Sequence, residues 1–222
     1  MRTIHDIPIL TEINELVDPA HSAVIVIDMM NIVFEQICSN EGSEKPGQGA
    51  DVAHVKGVIA PIQQLLSSAR EKNMMIAYAE FIHRTKDGVS RMDGPNSYCH
   101  KDADEVVEII EGSWESQTID DLKPEEGDVI IRKSRGSVFY NTPLDRILRE
   151  QKIQSVILTG VLSTGCVLFS ACDAMHYGYY PVIPRECVGT YDLADHNRGM
   201  GWMETKFPVF DLDEILAVWS MS

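Results

Sequence analysis

Residues 156–183 read VILTGVLSTGCVLFSACDAMHYGYYPVI, and this stretch decides the fold. Val156 to Leu158 is an apolar run typical of a buried strand. A turn of small residues, Gly160 to Gly165, follows it, and Cys166 to Tyr177 has helical character. A second apolar run, Tyr180 to Ile183, predicts another strand. Strand, helix and strand in this order predict a right-handed βαβ unit with parallel strands.

The rest of the chain repeats this alternation. Further strands are predicted at Ala23 to Ile27, Met74 to Ala79, Asp128 to Arg132 and Phe207 to Phe210, and helices at Asp51 to Lys72, Thr142 to Gln151 and Asp213 to Trp219. We therefore expect an α/β fold, a three-layer α/β/α sandwich around a mostly parallel, Rossmann-like sheet of about six strands. The length of 222 residues fits one large α/β domain or two small ones, and we expect a single domain that spans residues 1–222.

The composition narrows the class of function. A formal net charge of -15 argues against a nucleic-acid partner and against adhesion to anionic membranes. No apolar stretch is long enough to span a bilayer, and the N-terminal segment has no apolar signal core. The cysteines show no CxxC pair; they are Cys38, Cys99, Cys166, Cys172 and Cys187. We expect reduced thiols and a cytoplasmic protein.

Cys166 opens the predicted helix after the glycine-bounded turn. The first turn of a helix leaves backbone N–H groups unpaired, and the helix dipole favours negative charge there. We therefore expect a stabilised thiolate, which is the nucleophilic form of cysteine. The alternative is that Cys166 is a small apolar residue that packs at the start of a core helix.

Two other reactive side chains follow predicted strands. Asp28 comes directly after Ala23 to Ile27, and Lys133 directly after Asp128 to Arg132. Taken alone, Asp28 could begin a turn and Lys133 could be a solvated strand end. Lys133 shares strand parity with Ile131, however, which indicates an inward side chain. Because ligands bind outside the carboxyl ends of parallel strands, we expect these side chains and Cys166 to meet in one site.

Other kinds of site have little support. The histidines show no HxxxH, HExxH or mixed Cys/His spacing, so we expect no metal. The chain contains no GxGxxG, GxxxxGK[ST] or GxSxG motif, so we expect neither a nucleotide cofactor nor a nucleophilic serine. No cofactor of any kind is expected.

Three segments resemble the isochorismatase-like cysteine hydrolases, a family that includes nicotinamidases, N-carbamoylsarcosine amidohydrolases and ureidoacrylate or biuret hydrolases. DPAHSAVIVIDMMN, at 18–31, resembles the family's strand that ends in Asp-Met-Gln-Asn. GSWESQTIDDLKPEEGDVIIRKSRGSVFYNTPLD, at 112–145, is similar to the segment with the family's lysine. LTGVLSTGCVLFSACDAMHYGYYPVIPRECVGT, at 158–190, resembles the Gly-Val-x-Thr-x-x-Cys-Val helix start. The resemblance covers most of the chain.

The resemblance implies a catalytic triad of Asp28, Lys133 and Cys166. It also implies a cis peptide between Val161 and Leu162 and an oxyanion hole formed by the backbone N–H groups of Leu162 and Cys166. Met30 stands where the family usually has Gln, and Ser163 where it usually has Thr. The nicotinamidase metal motif, Asp-x-His with a second His nearby, has no match.

We therefore expect a metal-independent hydrolase that cleaves a C–N bond of a small amide, carbamoyl or ureido compound through a Cys166 thioester. A non-catalytic binding or scaffold protein and a redox-sensing thiol protein are the alternatives. The family suggests a homo-oligomer, a dimer or tetramer. The substrate is expected to contact residues on segments that border the same edge of the sheet, namely Phe34, Glu80, His83, Trp114 and Arg135. Specificity is expected in the loops Phe34 to Ala50 and His83 to Asp102.

Overall fold

A parallel sheet forms the centre of the molecule. The computed structural model describes residues 2–39, 52–97 and 108–221. The strands of the sheet are β3 (Ser22–Ile27), β4 (Met75–Phe81), β5 (Val129–Lys133), β6 (Ser155–Val161), β7 (Tyr180–Pro184), β8 (Val188–Gly189) and β9 (Val209–Phe210). They follow the order β5-β4-β3-β6-β7-β9, with β8 paired to β6. Every pairing among them is parallel. An antiparallel hairpin, β1 (Arg2–Ile4) and β2 (Ile7–Ile9), lies apart from the sheet.

Helices connect the strands. In the described part of the chain they are α1 (Ile13–Leu16), α2 (Asn31–Ser39), α3 (Val52–Gly57), α4 (Ile59–Glu71), α5 (Gly94–Ser97), α6 (Leu144–Glu150), α7 (Cys166–His176), α8 (Leu193–Met203) and α9 (Leu212–Met221). None of the described helices is long and apolar enough to cross a membrane.

The sheet has a hydrophobic layer on each face. Along β3, Val24 and Val26 face one layer, which α4 and α9 cover. Ala23, Ile25 and Ile27 face the other layer, which α6, α7 and α8 cover. This alternation follows from the two-residue period of a strand. All six residues of β3 are buried, since this strand lies in the middle of a three-layer sandwich.

The architecture confirms the predicted fold class, and each strand predicted from the sequence is present. The predicted helix at 51–72 is instead two helices that meet at Val58, and residue 51 lies outside the described residues. The two-residue strand β8 and the helix α8 were not predicted. Helix α8 contains Asp195, Asn197 and two glycines, so its apolar pattern is weak. The division into a single domain stays a prediction.

Strands β3 and β6 approach each other closely at their carboxyl ends, where Ile27 pairs with Gly160. Gly160 on β6 has a φ of 101°, and a Cβ added to it would lie 2.1 Å from the backbone oxygen of Ile27. Only glycine fits here, because a side chain would both clash and be forced into a left-handed conformation. The close approach brings the residues that follow these two strands, Asp28 and the turn after Val161, to the same edge.

Candidate active site

The ammonium group of Lys133 contacts both Asp28 and Cys166. Each of these three residues follows or ends a strand, as predicted. Lys133 Nζ lies 2.8 Å from Asp28 Oδ2 and 3.3 Å from Cys166 Sγ. It also donates to the backbone oxygen of Arg135 at 3.0 Å. An ammonium has three hydrogen-bond donors, so all of them are used. Lys133 is 1% exposed and Asp28 6%, as expected for a site between elements rather than on the surface.

Asp28 lies at the point where the chain turns sharply out of β3. Its φ is 52°, a left-handed conformation that Asp tolerates better than most residues. Its N–H donates to the oxygen of Ala79 on β4, 3.1 Å away, and its own oxygen accepts from Met30 N–H at 2.8 Å. The second carboxylate oxygen, Oδ1, is buried and has no hydrogen-bond partner among the described residues. A buried acceptor of this kind can take a proton.

Cys166 is the first residue of α7, as predicted. The direction of its pKa shift runs against the predicted thiolate, however. Burial, reinforced by the negative charge of Asp28 and a hydrogen bond to it, raises the pKa of the Cys166 thiol to about 12, although Lys133 opposes this. The helix N-terminus alone therefore does not ionise the thiol. Burial and the proximity of Asp28 thus favour the neutral thiol.

Lys133 remains a cation despite its burial. Burial by itself would lower the pKa of Lys133, but the negative charge of Asp28, the tendency of a cation to draw the nearby Cys166 thiol toward ionisation, and hydrogen bonds to both residues raise it above its ordinary value. The ring of Phe81 lies 4.9 Å from Nζ and adds a cation–π contact. Phe81 is in turn fixed by its N–H, which donates to Met30 Sδ at 3.1 Å. Met30, which departs from the family's usual Gln, thus contacts the residue whose ring lies over the lysine.

The turn between β6 and α7 carries the expected cis peptide, Val161–Leu162. The N–H of Gly165 donates to Leu162 O at 3.0 Å, and that of Val167 donates to the same oxygen at 3.1 Å. Within the described residues, the N–H groups of Leu162 and Cys166 have no such acceptor. Two free donors at a helix start form an arrangement that binds a negatively charged oxygen.

Arg135 and Glu80, two of the expected substrate contacts, have structural partners. Arg135 forms an ion pair with Asp93 and donates to the backbone oxygen of Arg91 at 2.9 Å. Glu80 is buried, and its desolvation raises its pKa, although the charge of Arg132 and a hydrogen bond from Thr118 oppose this. A substrate carboxylate would have to displace Asp93 to reach Arg135.

Phe34, His83 and Trp114 lie in three different settings. Phe34, on α2, is partly buried against the hydrophobic layer of α4 and α9. His83 is buried, and its Nδ1 accepts the N–H of Ile109 at 3.2 Å. Trp114 is 54% exposed, and its backbone oxygen accepts from Asn31 at 2.9 Å. Substrate contact by these side chains stays a prediction. Residues 40–50 of the first predicted specificity loop and residues 98–102 of the second lie outside the described residues.

Sequence reasoning missed residues that surround the site. Phe81 was missed because the strand was predicted to end at Ala79, and the actual strand runs further. Tyr191 follows β8, which pairs with β6 through Gly189 and Val161. Burial raises the pKa of Tyr191 to about 12, as do the nearby charges of Cys166 and Asp28, so this tyrosine also lines the edge. No motif in the sequence points to Tyr191.

Metal ligands are not clustered in the described ranges. Residues 2–39, 52–97 and 108–221 contain no group of three or more His, Cys, Asp or Glu side chains that could hold a metal ion. His100 lies outside these ranges.

Known proteins share this fold. The model of the isochorismatase domain matches residues 22–210. The ureidoacrylate amidohydrolase RutB of Rhizobium rhizogenes is 31% identical over 176 residues, which are 74% of this chain and 69% of that relative. A cysteine hydrolase from Pseudomonas syringae pv. phaseolicola superimposes with a TM-score of 0.75 at 22% identity, over 93% of this chain and 95% of the other. N-carbamoylsarcosine amidase from Thermoplasma acidophilum gives a TM-score of 0.66 at 22% identity, over 87% and 97%.

A parallel α/β sandwich with a partly buried thiol beside a buried lysine and a buried carboxylate at its carboxyl edge defines a hydrolase of the isochorismatase-like class. The match over residues 22–210 shows that the chain belongs to the isochorismatase family.

Proposed function

We propose that this protein is a cysteine hydrolase that cleaves a C–N bond in a small amide, carbamoyl or ureido compound. The observation that carries the proposal is the contact of one buried ammonium, Lys133 Nζ, with both Asp28 Oδ2 at 2.8 Å and Cys166 Sγ at 3.3 Å. The relatives named for ureidoacrylate and N-carbamoylsarcosine favour the ureido and carbamoyl members of this class.

In the first half of the proposed reaction, Asp28 accepts the thiol proton while Cys166 Sγ bonds to the substrate carbonyl carbon. The carbonyl π electrons move to the oxygen, and the N–H groups of Leu162 and Cys166 stabilise the resulting anion. An oxyanion donor of this kind contributes about 3 kcal/mol in other enzymes. The C–N bond then breaks, and the proton on Asp28 passes to the departing nitrogen, which leaves a thioester on Cys166.

In the second half, water attacks the thioester. Asp28, again a carboxylate, accepts a proton from the water. The C–S bond then breaks to release an acid, and the proton on Asp28 passes to Sγ, which regenerates the thiol. The positive charge of Lys133 stabilises the negative charge that develops on Sγ, first when Sγ attacks the substrate and again when Sγ leaves the thioester. A neutral resting thiol suits this route, since the proton taken by Asp28 is the one that the leaving nitrogen needs.

The raised thiol pKa weighs against the redox-sensing alternative. Oxidant-sensitive cysteines are those with low pKa values, and burial beside Asp28 has the opposite effect. Cys172 and Cys187 are free thiols, and the side chains of Cys38 and Cys99 lie outside the described residues.

An ammonia-release screen over small amides, carbamoyl amino acids and ureides tests the proposal. Cys166→Ala serves as the inactive variant. Cys172→Ser is the matched control, because Cys172 lies on the same helix, α7. We expect release by the wild type and the control and none by Cys166→Ala. Release by Cys166→Ala at the wild-type rate would overturn the proposal, and no release from any compound by the wild type would favour a scaffold protein.

We further propose, from the family resemblance, that the protein is a homo-oligomer, a dimer or tetramer, and that it acts in the cytoplasm. Light scattering on the purified protein tests the first of these, since a monomer mass would contradict it.

A further inference from the structure

Helix α8 packs directly against the turn that carries the two free N–H groups. Ser163, in the middle of this turn, is fully buried, and its Oγ lies 3.1 Å from Nδ1 of His196 on α8. His196 is 8% exposed. A buried hydrogen bond between side chains 33 positions apart ties the turn to a separate element of the fold.

Two further contacts fix the same turn. The N–H of Ser163 donates to Gly189 O on β8 at 2.7 Å. One helical turn after His196, Gly199 lies so close to the turn that a Cβ added there would be 2.7 Å from Thr164 Cγ2. The turn is therefore held from β8 and from α8.

His196 is suited to a neutral hydrogen bond. Its ring packs edge-on against the ring of His54 on α3, with centroids 4.5 Å apart. Burial, together with His54 and the positive charge of Arg185, lowers the pKa of His196 to about 4. The imidazole is thus uncharged at neutral pH and makes one uncharged contact with Ser163, with no effect on the charge of the Asp28–Lys133–Cys166 group.

We propose that His196 is a positioning residue, which holds Ser163 and thereby keeps the N–H groups of Leu162 and Cys166 aimed at one point, where the substrate's anionic oxygen forms. The proposal rests on the proposed hydrolytic function for its catalytic consequence. The mechanical part, that His196 holds the turn, stands on the contacts alone.

The expected kinetic effect is on turnover rather than on substrate binding. Donors aimed at an oxyanion act on the transition state, so loosening them lowers kcat and leaves KM unchanged. Removing an oxyanion donor outright costs about 100-fold or more in kcat. Loosening the turn leaves both donors in place, so we expect a smaller loss, of about tenfold.

The test compares four variants. His196→Leu removes the ring nitrogen, and His196→Asn puts an amide group where Nδ1 lies. Ser163→Ala removes the other partner, and the fourth variant combines Ser163→Ala with His196→Leu. His176→Leu is the control, because His176 is exposed at the end of α7. Ammonia release gives kcat and KM on the substrate found in the screen, and the amplitude of the urea-unfolding transition counts the folded, competent sites.

We expect about tenfold lower kcat per competent site in His196→Leu and in Ser163→Ala, with no further loss in the combined variant, since both changes remove one interaction. His196→Asn should recover most of the rate, and His176→Leu should match the wild type. Additive losses in the combined variant, or equal losses in His196→Asn and His196→Leu, would indicate a merely structural role and overturn the proposal.

Hydrogen exchange provides a second measurement that does not depend on activity. The amide of Ser163, bonded to Gly189 O, should exchange faster in His196→Leu and at the wild-type rate in His196→Asn, while the amides of β4 stay unchanged. Unchanged exchange at Ser163 in His196→Leu would overturn the positioning role, whichever substrate the enzyme has. Turnover that survives in Cys166→Ala would instead contradict the hydrolytic function alone.

Discussion

Lys133 Nζ and Asp28 Oδ2 form a buried ion pair 2.8 Å apart at the carboxyl edge of the sheet. The pair is the fixed part of the site, since it binds the two ends of β3 and β5 together on either side of β4. Its charges also set the state of Cys166, because Asp28 favours the neutral thiol and Lys133 favours the thiolate.

Breaking this ion pair should destabilise the protein. Lys133→Met leaves a buried carboxylate without its counter-ion, which costs about 3–5 kcal/mol in the free energy of unfolding. Adding Asp28→Asn to that variant should restore part of the loss. The control is Arg146→Met, which breaks an exposed ion pair. Arg146 lies 2.7 Å from Glu150, and the two side chains are 66% and 58% exposed. Exposed pairs contribute less than about 1 kcal/mol to the free energy of unfolding. Urea unfolding measures each value; equal losses in the two variants would contradict the account.

Asp28→Asn should have opposite effects on thiol ionisation and on turnover. Without the carboxylate, Lys133 alone acts on Cys166, and the thiol pKa should fall below about 12. Iodoacetamide should then alkylate Cys166 faster at pH 8 than in the wild type, measured in a Cys172→Ser background. Turnover should nevertheless be lost, since no base accepts the thiol proton. Slower alkylation, or a variant that retains wild-type turnover, would refute this assignment of Asp28.

Acid should weaken the fold through His196. Its pKa in the folded protein is lowered from 6.5 to about 4, so between these pH values the unfolded chain binds a proton that the folded protein does not. The free energy of unfolding therefore has its full value, as far as His196 is concerned, above pH 6.5, and it decreases as the pH falls toward 4. We expect a loss of about 2 kcal/mol, after allowance for screening by solvent.

The comparison that isolates this effect is the slope of unfolding free energy against pH in the wild type and in His196→Asn. The variant should show a shallower slope between pH 6.5 and 4. The charged and titratable groups that act on His196 are His54 and Arg185. Identical slopes would mean that His196 is not held in its neutral form by the fold.

Glycine at position 160 should be required for the approach of β6 to β3. Gly160→Ala places a Cβ against Ile27 O and should cost about 4 kcal/mol or more. Gly178→Ala is the matched control, because Gly178 also has a positive φ, 89°, but has no atom within 4 Å of the added Cβ. It should cost only about 1 kcal/mol. Thermal unfolding measures the stability of both variants. Similar losses of stability in Gly160→Ala and Gly178→Ala would show that the contact with Ile27 is unimportant.

The sequence predicts the fold and the placement of Asp28, Lys133 and Cys166, because strand parity and parallel topology are local patterns that bring strand ends to one edge. Two features depend on tertiary packing and leave no such pattern. The pKa of Cys166 is set by burial and by charges distant in sequence, which a helix start alone does not reveal. The Ser163–His196 contact joins two elements across 33 positions, and helix α8 itself was not predicted.

The central claim, that Cys166 forms a thioester with substrate, is tested most directly by mass spectrometry of enzyme quenched in acid during turnover. We predict that the peptide containing Cys166 gains the mass of the substrate's acyl or carbamoyl group and that Cys172, on the same helix, stays unmodified. An acyl group on any other residue, or turnover by an enzyme whose Cys166 has been replaced by alanine, would contradict the account.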